Sequence, residues 1–260
     1  MPAFATPGPI AATVEVAGAQ VRVTASERTD TVVLVEPINE ASRSDVKVAS
    51  KTKVDFADGQ LSVKTTTPGD KSGSVSITID LPAGSSLAAY LAHSSVQAAG
   101  PVGPCELHLA SGQVQLDRID ALQASIASGE VAIGHIAGRA SIDGGAFVMR
   151  IGHACADLDL SSAGGDFDID RADGNVTATT ASGAIRIGRM THGQAKLTNG
   201  SGNIEVGIGE GTAASIDASS ERGAVHDFVS PQGNPHPSDD KVMVHARTRH
   251  GDIIIARAAS

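Results

Sequence analysis

Nine histidines, two cysteines and a run of aspartates carry most of the chemistry this 260-residue chain has to offer. Zinc sites usually show in sequence as ligands paired at short, fixed spacing. His93, His108, His135, His153, His192, His226, His236, His245 and His250 include no HxxxH or HxH pair, and no CxxC occurs. A zinc site would have to be assembled across separate turns of the chain, so the expectation is no metal and no cofactor. Cys105 and Cys155 do not make a disulfide framework. They read as two small buried hydrophobes. A cysteine nucleophile needs a base beside it, and His153 shares a strand face with Cys155, which alone establishes no contact. The stretch containing Asp157, Asp159, Asp166, Asp168, Asp170 and Asp173 includes Gly164-Gly165-Asp166-Phe167-Asp168, a partial match to the glycine-aspartate repeats that bind calcium. The second glycine is missing, which favours outward, hydrated aspartates. No nucleophile elbow, phosphate loop or dinucleotide fingerprint is present.

The elements that must position these residues are strands. Hydrophobic residues make up 41% of the chain but aromatic ones only 2%, so the core must be thin and aliphatic. Net charge is −9 with no clustered basic run, which disfavours nucleic acid as a partner. No apolar run reaches the ~18 residues of a membrane span, so no membrane insertion is expected. The N-terminus lacks a basic region followed by an apolar one, and a cytoplasmic location is the expectation.

Residues 10 to 95 alternate with period two: Thr13-Val14-Glu15-Val16, Gln20 to Thr24, Thr31 to Val35, Gln60 to Lys64 and Ser74 to Ile79. These are strands with one wet face. Asp58-Gly59 marks a hairpin and Pro68 to Gly73 a second turn, while Asn39 to Ser50 is the one place for a short helix or loop. From about Leu87 a different pattern takes over: a small residue, Gly, then apolar residues two and four places later. It recurs at Gly112, Gly129, Gly145, Gly165, Gly183, Gly202, Gly223 and Gly251. Two places after each stand Val114, Val131, Phe147, Phe167, Ile185, Ile204, Val225 and Ile253; four places after stand Leu116, Ile133, Met149, Ile169, Ile187, Val206, Asp227 and Ile255. Only Asp227 breaks these inward columns. Such a period means stacked turns.

The predicted fold is all-β: a parallel β-solenoid of either hand, built from ~18-residue coils. Residues 1–95 form N-terminal strands that cap one end. Residues 96–260 form the repeats, and the proline loop at 230–240 with the strands ending in Ile253-Ile254-Ile255 forms the other cap; the whole is read as one continuous domain. Stacking in register places Asp168, Arg186 and Glu205 in a charge ladder. Ser125, Ser141, Ser161, Thr179, Thr198 and Ser219, four places before each Gly, read as a hydroxyl stack serving a corner. His135 stands six places after its Gly, as do Arg118, Arg171 and Arg189, giving a basic corner column.

The repeated phrase, as in Ser182-Gly183-Ala184-Ile185-Arg186-Ile187-Gly188, resembles that of bacterial β-strand-repeat proteins labelled "putative adhesins", a family of unknown function. The opening from Pro7 to Val16 and the close from Val244 to Ile253 are similar to theirs as well. The resemblance implies a β-solenoid-like fold and no activity. Two functions follow. The first is a non-enzymatic scaffold or interaction module with an unknown protein partner. The second is a protein that binds a small apolar molecule or a cofactor-free enzyme of cyclase or isomerase type, so enzymatic status stays open. The repeat departs from regularity at Phe147-Val148-Met149 and from Asp227 onward. Phe147, Val148, Met149, Phe228 and His236 are therefore the candidate ligand-binding residues. Apolar terminal coils are compatible with a homodimer.

Overall fold

The computed structural model describes residues 2–65, 73–229 and 241–258. The turn expected at Pro68 to Ser72, the proline loop and His236 lie outside the described residues. The chain divides into two compact units, residues 1–131 and 132–260.

The first unit runs β1 (Ala3–Ala5), β2 (Ala11–Ala17), β3 (Ala19–Ser26), β4 (Asp30–Pro37), α1 (Arg43–Lys51), β5 (Lys53–Ala57), β6 (Gln60–Lys64), β7 (Val75–Pro82), β8 (Ser86–Val102) and β9 (Cys105–Ile119), then enters β10 (Leu122–Ile136). Two strands, or one long bent strand, make each coil. β2 and β3 lie parallel to the first and second halves of β8, and β8 lies parallel to β9. Residue 95 sits inside β8, paired to Gln20 and Gln113. On the other side of β2 and β3 lie β6 and β7, also parallel. The ladder then closes with antiparallel strands, β5 on β6, β4 on β7 and β1 on β4. The β5–β6 hairpin turns at Asp58 (φ 50°) and Gly59 (φ 74°), the paired left-handed residues of a two-residue loop. Helix α1 opens on Ser42, whose Oγ accepts from the Asp45 N–H. The Asp45 carboxylate accepts from the Ser74 and Asn39 N–H groups, tying the helix to the sheet.

The second unit continues with β11 (Ala140–Ala154), β12 (Leu158–Gly164), β13 (Phe167–Ala172), β14 (Val176–Thr180), β15 (Ile185–Met190), β16 (Gly193–Ser201), β17 (Ile204–Ile208), β18 (Ala213–Arg222), β19 (Val225–Asp227), β20 (Lys241–His250) and β21 (Ile253–Arg257). One parallel ladder runs β11, β12, β14, β16, β20, β18, and a second runs β11, β13, β15, β17, β21, β19. The coil β20–β21 is therefore inserted between β16–β17 and β18–β19. This corrects the expected C-terminal cap. Ile253 and Ile255 are fully buried inside the stack, and the outermost coil among the described residues is β18–β19.

The register also corrects the repeat alignment. Met149, not Phe147, pairs with Phe167, and Ile151 pairs with Ile169. The inward columns are Met149, Phe167, Ile185, Ile204, Ile253, Val225 and Ile151, Ile169, Ile187, Val206, Ile255, Asp227. The first five in each column are at most 2% exposed. Phe147 stands level with Gly165, so Gly145 is not a repeat glycine. At the others a side chain has no room: a Cβ on Gly183 (φ 135°) would overlap the carbonyl of Gly165, and one on Gly202 (φ 133°) that of Gly183.

The corner hydroxyls are displaced by one position from expectation. Ser161, Thr179, Thr198 and Ser219 are exposed on the strand face. The buried polar ladder is Ser162, Thr180, Asn199 and Thr248. Ser162 Oγ donates to the Gly145 carbonyl, Thr180 Oγ1 to that of Ser182, Asn199 Nδ2 to those of Gly183 and Gly202, and Thr248 Oγ1 to that of Gly202. These bonds satisfy carbonyls at the bend, which would otherwise be stranded. Just after the glycine, a carboxylate or amide oxygen accepts from the next coil's backbone: Asp166 from Ala184 N–H, Asn203 from Asp252 N–H, and Asp252 from Ala224 N–H. Asp166 is thereby engaged in fixing the stack. Asp168, Arg186 and Glu205 stand in one column as expected, and Arg186 pairs with Asp168 at 2.5 Å and with Asp170 at 3.6 Å.

Candidate functional site

In the second unit, the inward positions of the coils before β18–β19 are filled by apolar side chains and the backbone is consumed by the ladders, so chemistry must sit on outward columns. The face made by β14, β16, β20 and β18 carries two of them. Thr177, Lys196, His245 and Asp217 form one; Thr179, Thr198, Arg247 and Ser219 form the other. Arg247 binds the Asp217 carboxylate at 2.6 Å and its carbonyl at 2.7 Å, and His245 approaches the same carboxylate at 3.3 Å. The Arg247 hydrogen bond, reinforced by His245, holds the Asp217 carboxyl below its ordinary range. Beside these columns lies an open depression of about 480 Å³, lined among others by Thr198, Asn199, Ser219, Glu221, Arg247 and Arg249. It offers hydroxyls, an amide and mixed charge.

Among the described residues, the structure does not bring Phe228 together with Phe147, Val148 and Met149. Phe147 (2% exposed) and Met149 (0%) are core side chains, with Phe147 against the Phe167 ring at 5.7 Å between centroids. Val148 is half-buried. Phe228 is 67% exposed and stacks on His226. It follows β19, five ladder steps from β11 or roughly 24 Å along the stack.

A third constellation stands on the corner after β11. Cys155 is exposed, not buried, and both cysteines are free. His135, His153 and Cys155 place one ligand atom each within 4.8 Å of one another. Cys155 Sγ lies 3.8 Å from His135 Nε2, and 4.0 and 3.7 Å from Nδ1 and Nε2 of His153. The imidazoles meet edge to face, 5.1 Å between centroids. His153 Nε2 bonds Asp173 Oδ2 at 2.7 Å, and Arg171 holds the same carboxylate from Nε at 3.0 Å and Nη2 at 2.9 Å. Burial opposes ionisation of Asp173, but the hydrogen bonds from Arg171 and His153 outweigh it and keep the carboxyl below its ordinary range. Cys105 is the opposite case: burial pushes its thiol up to about 12.

The basic corner column of His135, Arg171 and Arg189 is confirmed for the second unit, with His153 as a further member: His153 pairs with Arg171 and Arg171 with Arg189. Counting from Gly145 put Ile151 in that column and hid His153. The available signal was the interval of 18 residues between His135 and His153, one full coil.

Parallel coils, stacked polar corners and a ladder of glycines define a β-solenoid-like repeat protein. Residues 12–256 match the model of the Toastrack DUF4097 family, and the chain belongs to that family. No functionally curated protein is significantly similar to it. Among solved structures, a "putative adhesin" from Parabacteroides merdae shares 14% identity at a TM-score of 0.53, covering 98% of this chain and 95% of that one. Proteins of the same description from Bacteroides fragilis and Parabacteroides distasonis share 11% identity over the same proportions, at TM-scores of 0.44 and 0.45. These likenesses concern fold. No helix among the described residues is long and apolar enough to cross a membrane.

Proposed function

We propose that the protein is a non-enzymatic β-repeat scaffold that binds a protein partner through the polar strand face of β14, β16, β20 and β18. The observation that carries this reading is the pair of outward columns ending at Asp217 and Ser219. Four strands present a wide, pre-ordered surface of hydroxyls, Lys196, His245 and Arg247, beside an open depression. Rigid strands lose little entropy on binding, and mixed polar groups suit a wet, specific interface. The description of the similar Parabacteroides merdae structure as a "putative adhesin" agrees with a binding role. Two free cysteines, one exposed, support a reducing, cytoplasmic setting, which fractionation of cells expressing the full chain would test.

The experiment is cross-linking with affinity capture from the source cells, using wild type, Thr198→Arg with Ser219→Arg, and Asp170→Asn on the other ladder. A partner held by wild type and Asp170→Asn but lost from the double variant supports the reading. A partner held equally by the double variant, or lost only with Asp170→Asn, overturns this face.

A further inference from the structure

We propose that His135, His153 and Cys155 form a binding site for a zinc-type divalent transition metal, with Asp173 orienting His153. The donor set is chemically apt: two imidazoles and a thiolate are borderline-to-soft ligands that suit zinc and disfavour magnesium or calcium. The spacing is apt too. Ligands at 2.0–2.3 Å from a tetrahedral zinc lie about 3.5 Å from one another. Cys155 Sγ already stands 3.8 Å from His135 Nε2 and 4.0 Å from His153 Nδ1. Small side-chain rotations on the exposed corner close the remainder, with no movement of the ladder.

The tautomer is set by the same surroundings. His153 Nε2–H donates to the Asp173 carboxylate, which leaves Nδ1, 4.0 Å from Cys155 Sγ, as the ring's lone-pair nitrogen. A carboxylate behind a ligating histidine raises ligand basicity and fixes ring orientation. Two cations stand in this column. Arg171 is paired with Asp173, which blunts its repulsion of a bound cation, and Arg189 is one coil further on. The thiolate formed when Cys155 gives up its proton offsets one of the metal's two charges. Three protein ligands on an exposed corner leave the fourth position to water, as in open rather than structural zinc sites. His135 distinguishes the cluster from a simple Cys–His pair: it contributes a second nitrogen from the neighbouring coil, where it has no role in the ladder.

The test uses the full chain, reduced and stripped with a chelator, titrated with Co²⁺ alone and then challenged with Zn²⁺. One Co²⁺ per chain is expected, with a thiolate-to-cobalt charge-transfer band and the intense visible bands of four-coordinate cobalt, both abolished by zinc. Cys155→Ser removes the charge-transfer band. His135→Ala and His153→Ala each weaken Co²⁺ binding at least tenfold, and Asp173→Asn weakens it by about 10- to 100-fold while the band persists. Cys105→Ser leaves all of this unchanged. Circular dichroism matching wild type shows that these surface variants keep their strands. Absence of the band in wild type, its survival in Cys155→Ser, or binding indifferent to both histidine changes overturns the site.

Discussion

The two units finish their parallel ladders in opposite ways. In the first, strands running the other way, β4 and β5, lie on the last coil, and Asp45 ties α1 to the backbone just ahead of β7. The closing strand buries its inward side: Val33 is fully buried. In the second, the outermost coil among the described residues is β18–β19, and its inward positions lose their cover. Val225 is 42% exposed, Ile216 is half-buried, and Asp227 occupies a column that is aliphatic in the other five coils. A carboxylate is tolerated there because the coil ends the stack, where its Oδ1 accepts from the Val229 N–H in reach of water. The difference teaches that an exception in a repeat column can mark position in the stack and not a site of action.

This contrast can be broken by substitution. The largest effect is expected inside a ladder. Gly183→Val forces a Cβ into the Gly165 carbonyl at a φ of 135°, and should cost about 4 kcal/mol or more in thermal or urea unfolding. Gly59→Ala, at a hairpin tip with open space around it, should cost only about 1 kcal/mol. Next, Ile255→Ala in the inserted coil should cost about 3 kcal/mol, and Val33→Ala in the antiparallel closure about 2. Val225→Ala should cost less than about 1. Equal losses at Ile255 and Val225 would refute the order of the last two coils.

A smaller effect separates the closures by pH. Hydrogen bonds from the Ser74 backbone, then Ser42 and Asn39, hold the Asp45 carboxyl below its ordinary range. A carboxylate whose folded pKa is depressed stabilises the fold above its unfolded value near 4 and loses that contribution as pH falls through the folded value. Asp45→Asn should therefore flatten the acid limb of stability for the first unit. Acid titration of circular dichroism checks it, and an unchanged limb would show that α1 is not held by charge. Smallest of all, Asn199→Thr should be neutral or stabilising by about 1 kcal/mol. It matches Thr180 and Thr248 and removes a buried Oδ1 that has no hydrogen-bond partner. A loss of more than about 1 kcal/mol would show that Asn199 Nδ2 matters more than that orphan oxygen.

Much of this was legible from residue order. Period-two alternation located β2, β3, β4, β6 and β7, and the Asp58-Gly59 pair located a hairpin, because both follow from backbone geometry that neighbours alone determine. The glycine columns announced parallel coils for the same reason. Coil order was not legible. Nothing local distinguishes Ile253-Ile254-Ile255 at an edge from the same residues in a gap between two coils, since both need apolar inward positions. One miscounted coil also mattered: Gly145 satisfies the motif, while the true repeat position is occupied by Phe147, whose side chain turns into the core where a glycine would otherwise pass. That two-residue slip moved His153 out of its column and separated it from His135. The face at β14, β16, β20 and β18 was visible only as scattered Ser and Thr until pairing aligned them.

The insertion of β20–β21 gives the second unit a keystone. During synthesis, β16–β17 and β18–β19 emerge before the coil that joins them, so neither ladder edge can be satisfied until residues 241–257 arrive. A coil that stacks on its predecessor can fold as it is made; this one cannot. Assembly of the outer coils is therefore delayed until the last strands are available, and a chain broken before residue 241 would carry two unmatched sheet edges, a feature that proteolysis and chaperones read as incompleteness.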